Sequence, residues 1–93
     1  MKKRKMSNKI VVYSKNNCGY CVKAKALLKG LGLTFVEKKM EDFADVDALL
    51  KDVGKKVRSM PQIKIDGELV GGYNQLIEHY NKQGLVDFKG KIK

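Results

Sequence analysis

Cys18 and Cys21 are the only cysteines of the chain and stand close together as Cys18-Gly19-Tyr20-Cys21. An apolar run, Ile10-Val11-Val12-Tyr13, precedes them, and Ala24, Leu27, Leu28 and Leu31 follow at helical spacing. That context sets the pair at a strand-to-helix junction. The first sulfur then stands at a helix N-terminus, where unpaired N–H groups and the helix dipole favour an anion. Disulfide exchange proceeds through a thiolate, so this position lowers the pKa of Cys18 and suits it as the attacking sulfur. Cys21, one turn inside the helix, can reach and resolve a mixed disulfide formed at Cys18. The chemistry open to this arrangement is reversible thiol–disulfide exchange.

Three other uses of the pair weigh less. C-x-x-C is half of a common zinc site, but a closed site needs four ligands. Beyond the cysteines the chain offers one histidine, His79, so no bound metal is expected. A structural disulfide across so short a loop would restrict the unfolded chain less than a long-range bridge. Two idle thiols would leave both the spacing and the junction unexplained.

With 93 residues the chain makes one small domain around one modest core. Hydrophobic content of 43% without a low-complexity tract indicates a folded protein. No apolar run approaches the ~20 residues of a membrane span, so no membrane partner is expected. Met1-Lys2-Lys3-Arg4-Lys5 has the basic start of a signal peptide, yet the apolar stretch after it, Ile10 to Tyr13, is shorter than the ~7–15 residues such a peptide requires. The expected compartment is the reducing cytoplasm, where a dithiol cycles. Part of the net charge of +10 sits in Lys2, Lys3, Arg4 and Lys5 and in Lys89, Lys91 and Lys93. These read as basic tails, residues 1–8 and 89–93, on a domain spanning residues 9–88. The pattern of a nucleic-acid module does not appear. Salt-sensitive attraction to acidic partners is what the charge alone predicts.

The elements that must position the cysteines follow from periodicity. Lys9 to Ser14 reads as a central strand covered on both faces, and Lys15-Asn16-Asn17 as the loop lifting Cys18 to the strand's C-terminal edge. A helix over Tyr20 to Leu31 follows, then a strand, Thr34 to Glu37, parallel to the first. Phe43, Val46, Leu49, Leu50 and Val53 predict a second helix over Asp42 to Val53, capped by Asp42. Ser59-Met60-Pro61 leads into a strand over Gln62 to Ile65. Asp66-Gly67 is a tight-turn signal, and Glu68 to Val70 returns. After Gly71-Gly72 a last helix carries Tyr73, Leu76, Ile77 and Tyr80 on one face and ends at Gly84. The order β-α-β-α-β-β-α predicts an α/β domain, a four-stranded mixed sheet flanked by helices.

Three motifs in this order, Ser14-Lys15-Asn16-Asn17-Cys18-Gly19-Tyr20-Cys21, Ser59-Met60-Pro61 and Gly71-Gly72, resemble those of a glutaredoxin, over essentially Lys9 to Phe88. The resemblance implies a thioredoxin-like fold and a monomeric enzyme that uses glutathione as co-substrate to reduce protein disulfides and glutathione mixed disulfides. By that similarity Cys18 is the nucleophile and Cys21 the resolving thiol. Tyr20 lines the glutathione groove, Pro61 is cis, and the backbone of Met60 pairs with the peptide of glutathione like an added strand. Lys15, three residues before Cys18, is a cation for the thiolate and for a carboxylate of glutathione. Arg58 adds charge near the glycine carboxylate. Gly72 allows close approach to the next helix start, whose N–H groups suit the γ-glutamyl carboxylate. Tyr73, Asn74 and Gln75 complete the groove.

The departures from the family pattern are informative. Gly19 stands where many dithiol glutaredoxins have proline, which makes the helix start more mobile. Ser59-Met60-Pro61 replaces the common Thr-Val-Pro, and Tyr73-Asn74-Gln75 lacks the aspartate that commonly meets the γ-glutamyl amine. Protein partners implied by the family include ribonucleotide reductase. Two alternatives stay open: a reductase hydrogen donor recharged by thioredoxin reductase, and a dimer holding a glutathione-ligated iron–sulfur cluster through Cys18.

Overall fold

The computed structural model describes residues 9–57 and 59–92. The expected tail 1–8, together with Arg58 and Lys93, lies outside the described residues. Four strands, β1 (Ile10–Ser14), β2 (Val36–Lys39), β3 (Gln62–Ile65) and β4 (Glu68–Gly71), join in the order β2-β1-β3-β4. β1 pairs parallel to β2 and antiparallel to β3, and β3 pairs antiparallel to β4. Three α-helices, α1 (Gly19–Gly30), α2 (Val46–Val53) and α3 (Tyr73–Lys82), cover the sheet. This is the β-α-β-α-β-β-α order of the thioredoxin-like α/β fold.

Alternation along β1 divides the core in two. Ile10 and Val12 face one side, where Ala24, Leu27 and Leu28 of α1 and Leu76, Ile77 and Tyr80 of α3 meet Ile63 and Ile65 of β3. Tyr13 faces the other side, against Leu49 and Val53 of α2, with Val11, Phe43 and Met60 packed around them. β1 is therefore covered on both faces, which its unbroken apolar run requires. α1 and α3 pack side by side on one face.

Most element boundaries lie within a residue or two of the sequence reading, but the second strand shifts as a whole and the second helix starts further on. The second strand runs Val36–Lys39 because the ladder sets the register, pairing Val11 with Val36 and Ser14 with Lys39. The second helix starts at Val46, and its cap is Asp45, whose carboxylate accepts from the Ala48 N–H at 2.9 Å. Met40–Asp42 form a short 3-10 turn instead. Phe43 reaches the α2 side of the core from outside the helix. Beyond α3 the chain turns back: Asp87 accepts from the N–H groups of Lys89 and Lys91, and Val86 bridges to Ile92. No helix of the described residues is long and apolar enough to cross a membrane.

Candidate redox site

Cys18 is the N-cap of α1, with extended backbone at φ −117° and ψ 105°. Its sulfur accepts from the Cys21 N–H at 3.1 Å, so a helix N–H donor points at this sulfur, an arrangement that favours an anion there. The two cysteines are joined as a disulfide, with Cα atoms 5.2 Å apart. Their exposures are unequal: Cys21 is 1% exposed, while Cys18 is partly open to solvent. An incoming thiol or disulfide therefore meets Cys18 first. The fold that makes this so is local, since β1 ends at Ser14 and the exposed loop 15–17 delivers Cys18 to the rim of the sheet.

The second wall comes from the loop before β3. The Met60–Pro61 peptide is cis, and the Met60 carbonyl oxygen lies 3.6 Å from the Cys18 sulfur. The third wall is the start of α3, capped by Gly72. A Cβ at Gly72 would stand 3.4 Å from the Pro61 carbonyl oxygen, which is how closely the two backbones approach. Gly71, at φ +123°, makes the turn that brings them together. Tyr20 is 59% exposed, its ring centroid 5.9 Å from that of Tyr73, and the Lys23 ammonium lies 5.4 Å from its centroid.

One open groove is lined by the disulfide itself, and a second begins at Gly72, beside the Pro61 carbonyl. The first, about 420 Å³, is lined by Lys15, Cys18, Cys21, Lys25, Glu37 and Lys39 among others. The other, about 440 Å³, runs from Gly72 and Gln75 past Ser59 to Lys55 and Lys56. A third hollow, about 460 Å³, lies between β4 and α3 beside His79 and contains neither cysteine. Unlike the groove that begins at Gly72, it shares no lining residue with the loop before β3.

The structure thus gathers Cys18, Cys21, Tyr20, Met60, Pro61, Gly72 and Tyr73 at one edge. Lys15 is on the far groove from Gly72. Asn74 is exposed and lines a separate hollow with Ile77, Asn81 and Phe88. Gln75 turns its amide oxygen to the Gly72 N–H at 3.0 Å, capping its own helix. Arg58 lies outside the described residues. Among those residues no group of three or more His, Cys, Asp or Glu side chains is placed to hold a metal ion.

Sequence reasoning missed a polar cluster under α1. Ser14, 1% exposed, donates to Glu37 at 2.6 Å, and Lys25 pairs with the same carboxylate oxygen at 2.8 Å. Lys25 first, then Ser14, holds the Glu37 carboxyl below its ordinary range. The i,i+4 spacing of Cys21 and Lys25 was the available signal that this cluster belongs beside the disulfide. On the other face the buried Tyr13 hydroxyl donates to Asp52 at 2.8 Å, and Lys38 pairs with that carboxylate at 3.0 Å. Burial first, then the Asp52 bond, pushes the Tyr13 phenol up. These contacts tie β1, β2 and α2 together behind the site.

The glutaredoxin family pattern matches residues 10–70. Glutaredoxin 1 of Rickettsia conorii is 36% identical over 80 residues, covering 84% of this chain and 76% of the relative. Among solved structures, glutaredoxin 1 of Francisella tularensis, crystallised with cacodylate, superposes with a TM-score of 0.71 at 28% identity, covering 83% of this chain and 96% of that one. A buckwheat glutaredoxin–glutathione complex superposes with a TM-score of 0.68 at 33% identity, covering 83% and 72%.

Proposed function

The chain belongs to the glutaredoxin family, and from that premise we propose that this disulfide oxidoreductase takes its electrons from glutathione, with Cys18 as nucleophile and Cys21 as resolving thiol. The observation that carries the assignment is the asymmetry of the pair: Cys18 sits partly open at the helix cap, while Cys21 is 1% exposed behind it.

On a glutathione mixed disulfide, the Cys18 thiolate attacks the glutathione sulfur. A Cys18–glutathione disulfide forms, and the substrate sulfur leaves as a thiolate that takes a proton from water. A second glutathione thiolate then attacks the bound glutathione sulfur, releasing oxidised glutathione and the Cys18 thiolate. On a protein disulfide, the Cys18 thiolate attacks one substrate sulfur. The substrate S–S bond breaks, and the other sulfur leaves as a thiolate that takes a proton from water. Cys21 loses its proton and attacks the Cys18 sulfur, so the second substrate thiolate departs and the Cys18–Cys21 disulfide remains for two glutathiones to reduce. The Cys21 N–H bonded to the Cys18 sulfur supports the thiolate at each return.

Glutathione is assigned to the cleft between Tyr20, Met60-Pro61 and Gly72. Its cysteine would lie at Cys18, its peptide would pair with the Met60 backbone, and its γ-glutamyl carboxylate would face the N–H groups opening α3. Tyr73, Asn74 and Gln75 border that helix start, and Lys15 and Arg58 are assigned to its carboxylates. The buckwheat relative crystallised with glutathione supports this reading.

The test is a steady-state assay on a glutathione mixed disulfide, with glutathione and glutathione reductase compared against thioredoxin reductase as electron source. Turnover with glutathione and little with thioredoxin reductase is expected. The reverse ranking would overturn glutathione dependence and leave a reductase-coupled donor.

A further inference from the structure

Lys15 lines the groove that holds the disulfide, Lys55 and Lys56 line the groove that begins at Gly72, and Lys23 stands over the Tyr20 ring. None of the four makes an ion pair among the described residues. Three lysines do have structural partners: Lys25 holds Glu37, Lys38 holds Asp52, and Lys64 donates to the Asp52 carbonyl at 2.8 Å. Acids near the site are engaged, Glu37 by Lys25 and Ser14, Glu41 by the Asn16 N–H. Others, Asp66, Glu68 and Glu78, line the hollow between β4 and α3 that holds neither cysteine. Unpaired like charges side by side, as at Lys55 and Lys56, raise the local potential and favour an anionic partner.

We propose that protein substrates dock through an acidic segment close to their disulfide, laid along the groove that runs from Gly72 past Ser59 to Lys55 and Lys56. This rests on the assignment of Cys18 as the attacking sulfur. The groove starts within reach of that sulfur. Cys18 touches the Met60 carbonyl, and Gly72 packs on the neighbouring Pro61 carbonyl. An extended substrate segment advances about 3.3 Å per residue, so acids a few residues from the reacting cysteine arrive at the two lysines. Among the described residues no acid lines that groove, so basic segments find no counter-charge from them.

The experiment compares two peptide disulfides, identical except for a Glu-Glu or a Lys-Lys pair a few residues from the cysteine. kcat/KM is measured across a salt series for the unmodified protein and two double variants. Lys55→Gln with Lys56→Gln removes the groove charges. Lys29→Gln with Lys82→Gln removes the same charge from the last turns of α1 and α3, the helix ends opposite the site. The acidic peptide is expected to be favoured about five- to tenfold at low salt, as for two exposed charge pairs, and less as salt rises. The groove variant should lose most of that preference and the distal variant keep it. No preference, or an equal loss in both variants, overturns the proposal, the latter because net charge alone would then steer the peptide. Turnover of a small glutathione mixed disulfide is run alongside. Its absence would count against the proposed activity itself, separately from the peptide preference.

Discussion

The side-chain oxygen of Gln75 reaches back to the N–H of Gly72, 3.0 Å away, and closes the start of α3. That bond sets what Gln75 can do for a ligand, because the same oxygen cannot be given up freely to a γ-glutamyl amine. Gln75→Ala is expected to lower stability by about 0.5–2 kcal/mol, as for other lost helix caps. Asn74→Asp, by contrast, adds a charge at an exposed position in the helix's first turn without touching the cap. A charge-assisted bond exceeds a neutral one by about 0.5–2 kcal/mol, so glutathione should tighten up to roughly tenfold. Calorimetric titration with thermal melts separates the two effects. If Asn74→Asp leaves glutathione affinity unchanged at low salt, the amine is received elsewhere.

The unequal exposure of the cysteines predicts unequal loss. Cys18→Ser should abolish all disulfide reduction. Cys21→Ser should retain much of the turnover of glutathione mixed disulfides while losing most of that on protein disulfides, because glutathione itself completes the first route. An active Cys18→Ser with a dead Cys21→Ser would reverse the two roles.

Gly19 is the first residue of α1, and nothing lies within 4 Å of where its side chain would begin. Proline is well suited to that helical position, and Cys18 before it already has the extended backbone that a following proline demands. Gly19→Pro is therefore expected to stabilise the protein by about 0.4–1 kcal/mol through the unfolded chain. Denaturant titration would show a higher midpoint with an unchanged slope. A lower midpoint would mean that the helix start needs freedom which the observed backbone does not show.

Two carboxyls give the fold its acid sensitivity. Glu37 is held below its ordinary value of 4.5 by Lys25 and then Ser14, and Asp52 below 3.8 by Lys38 and then Tyr13. A carboxylate depressed in the folded state contributes stability above its unfolded value and loses it as pH falls through the folded one. Stability should therefore decline below about pH 4.5. Both pairs are partly exposed, so each contributes about 0.2–1 kcal/mol after screening. Glu37→Gln and Asp52→Asn should melt lower than the parent near neutral pH and converge with it in acid. A constant gap in melting temperature across that range would remove the ion-pair account.

The sequence by itself determined the redox pair, the order of the elements and the β1–α1 and β4–α3 junctions, because each is written in neighbouring residues. An apolar run, a helical stripe, Asp66-Gly67 and Gly71-Gly72 are all local signals. Tertiary structure decided where such signals compete. Asp42 and Asp45 can both cap a helix, and the choice fell to Asp45, with Phe43 packed in the core around Tyr13 from outside the helix. The second strand moved toward Lys39 because its pairing with β1, not its own pattern, fixes its register. Ser14, Lys25 and Glu37 lie 11 to 23 residues apart and carry no mutual signal along the chain. They meet because β1 and β2 are parallel neighbours and α1 crosses between them. The placing of Lys55 and Lys56 along the groove that begins at Gly72 has the same origin. Charge along a sequence has no direction until the sheet order and the crossing helices give it a face.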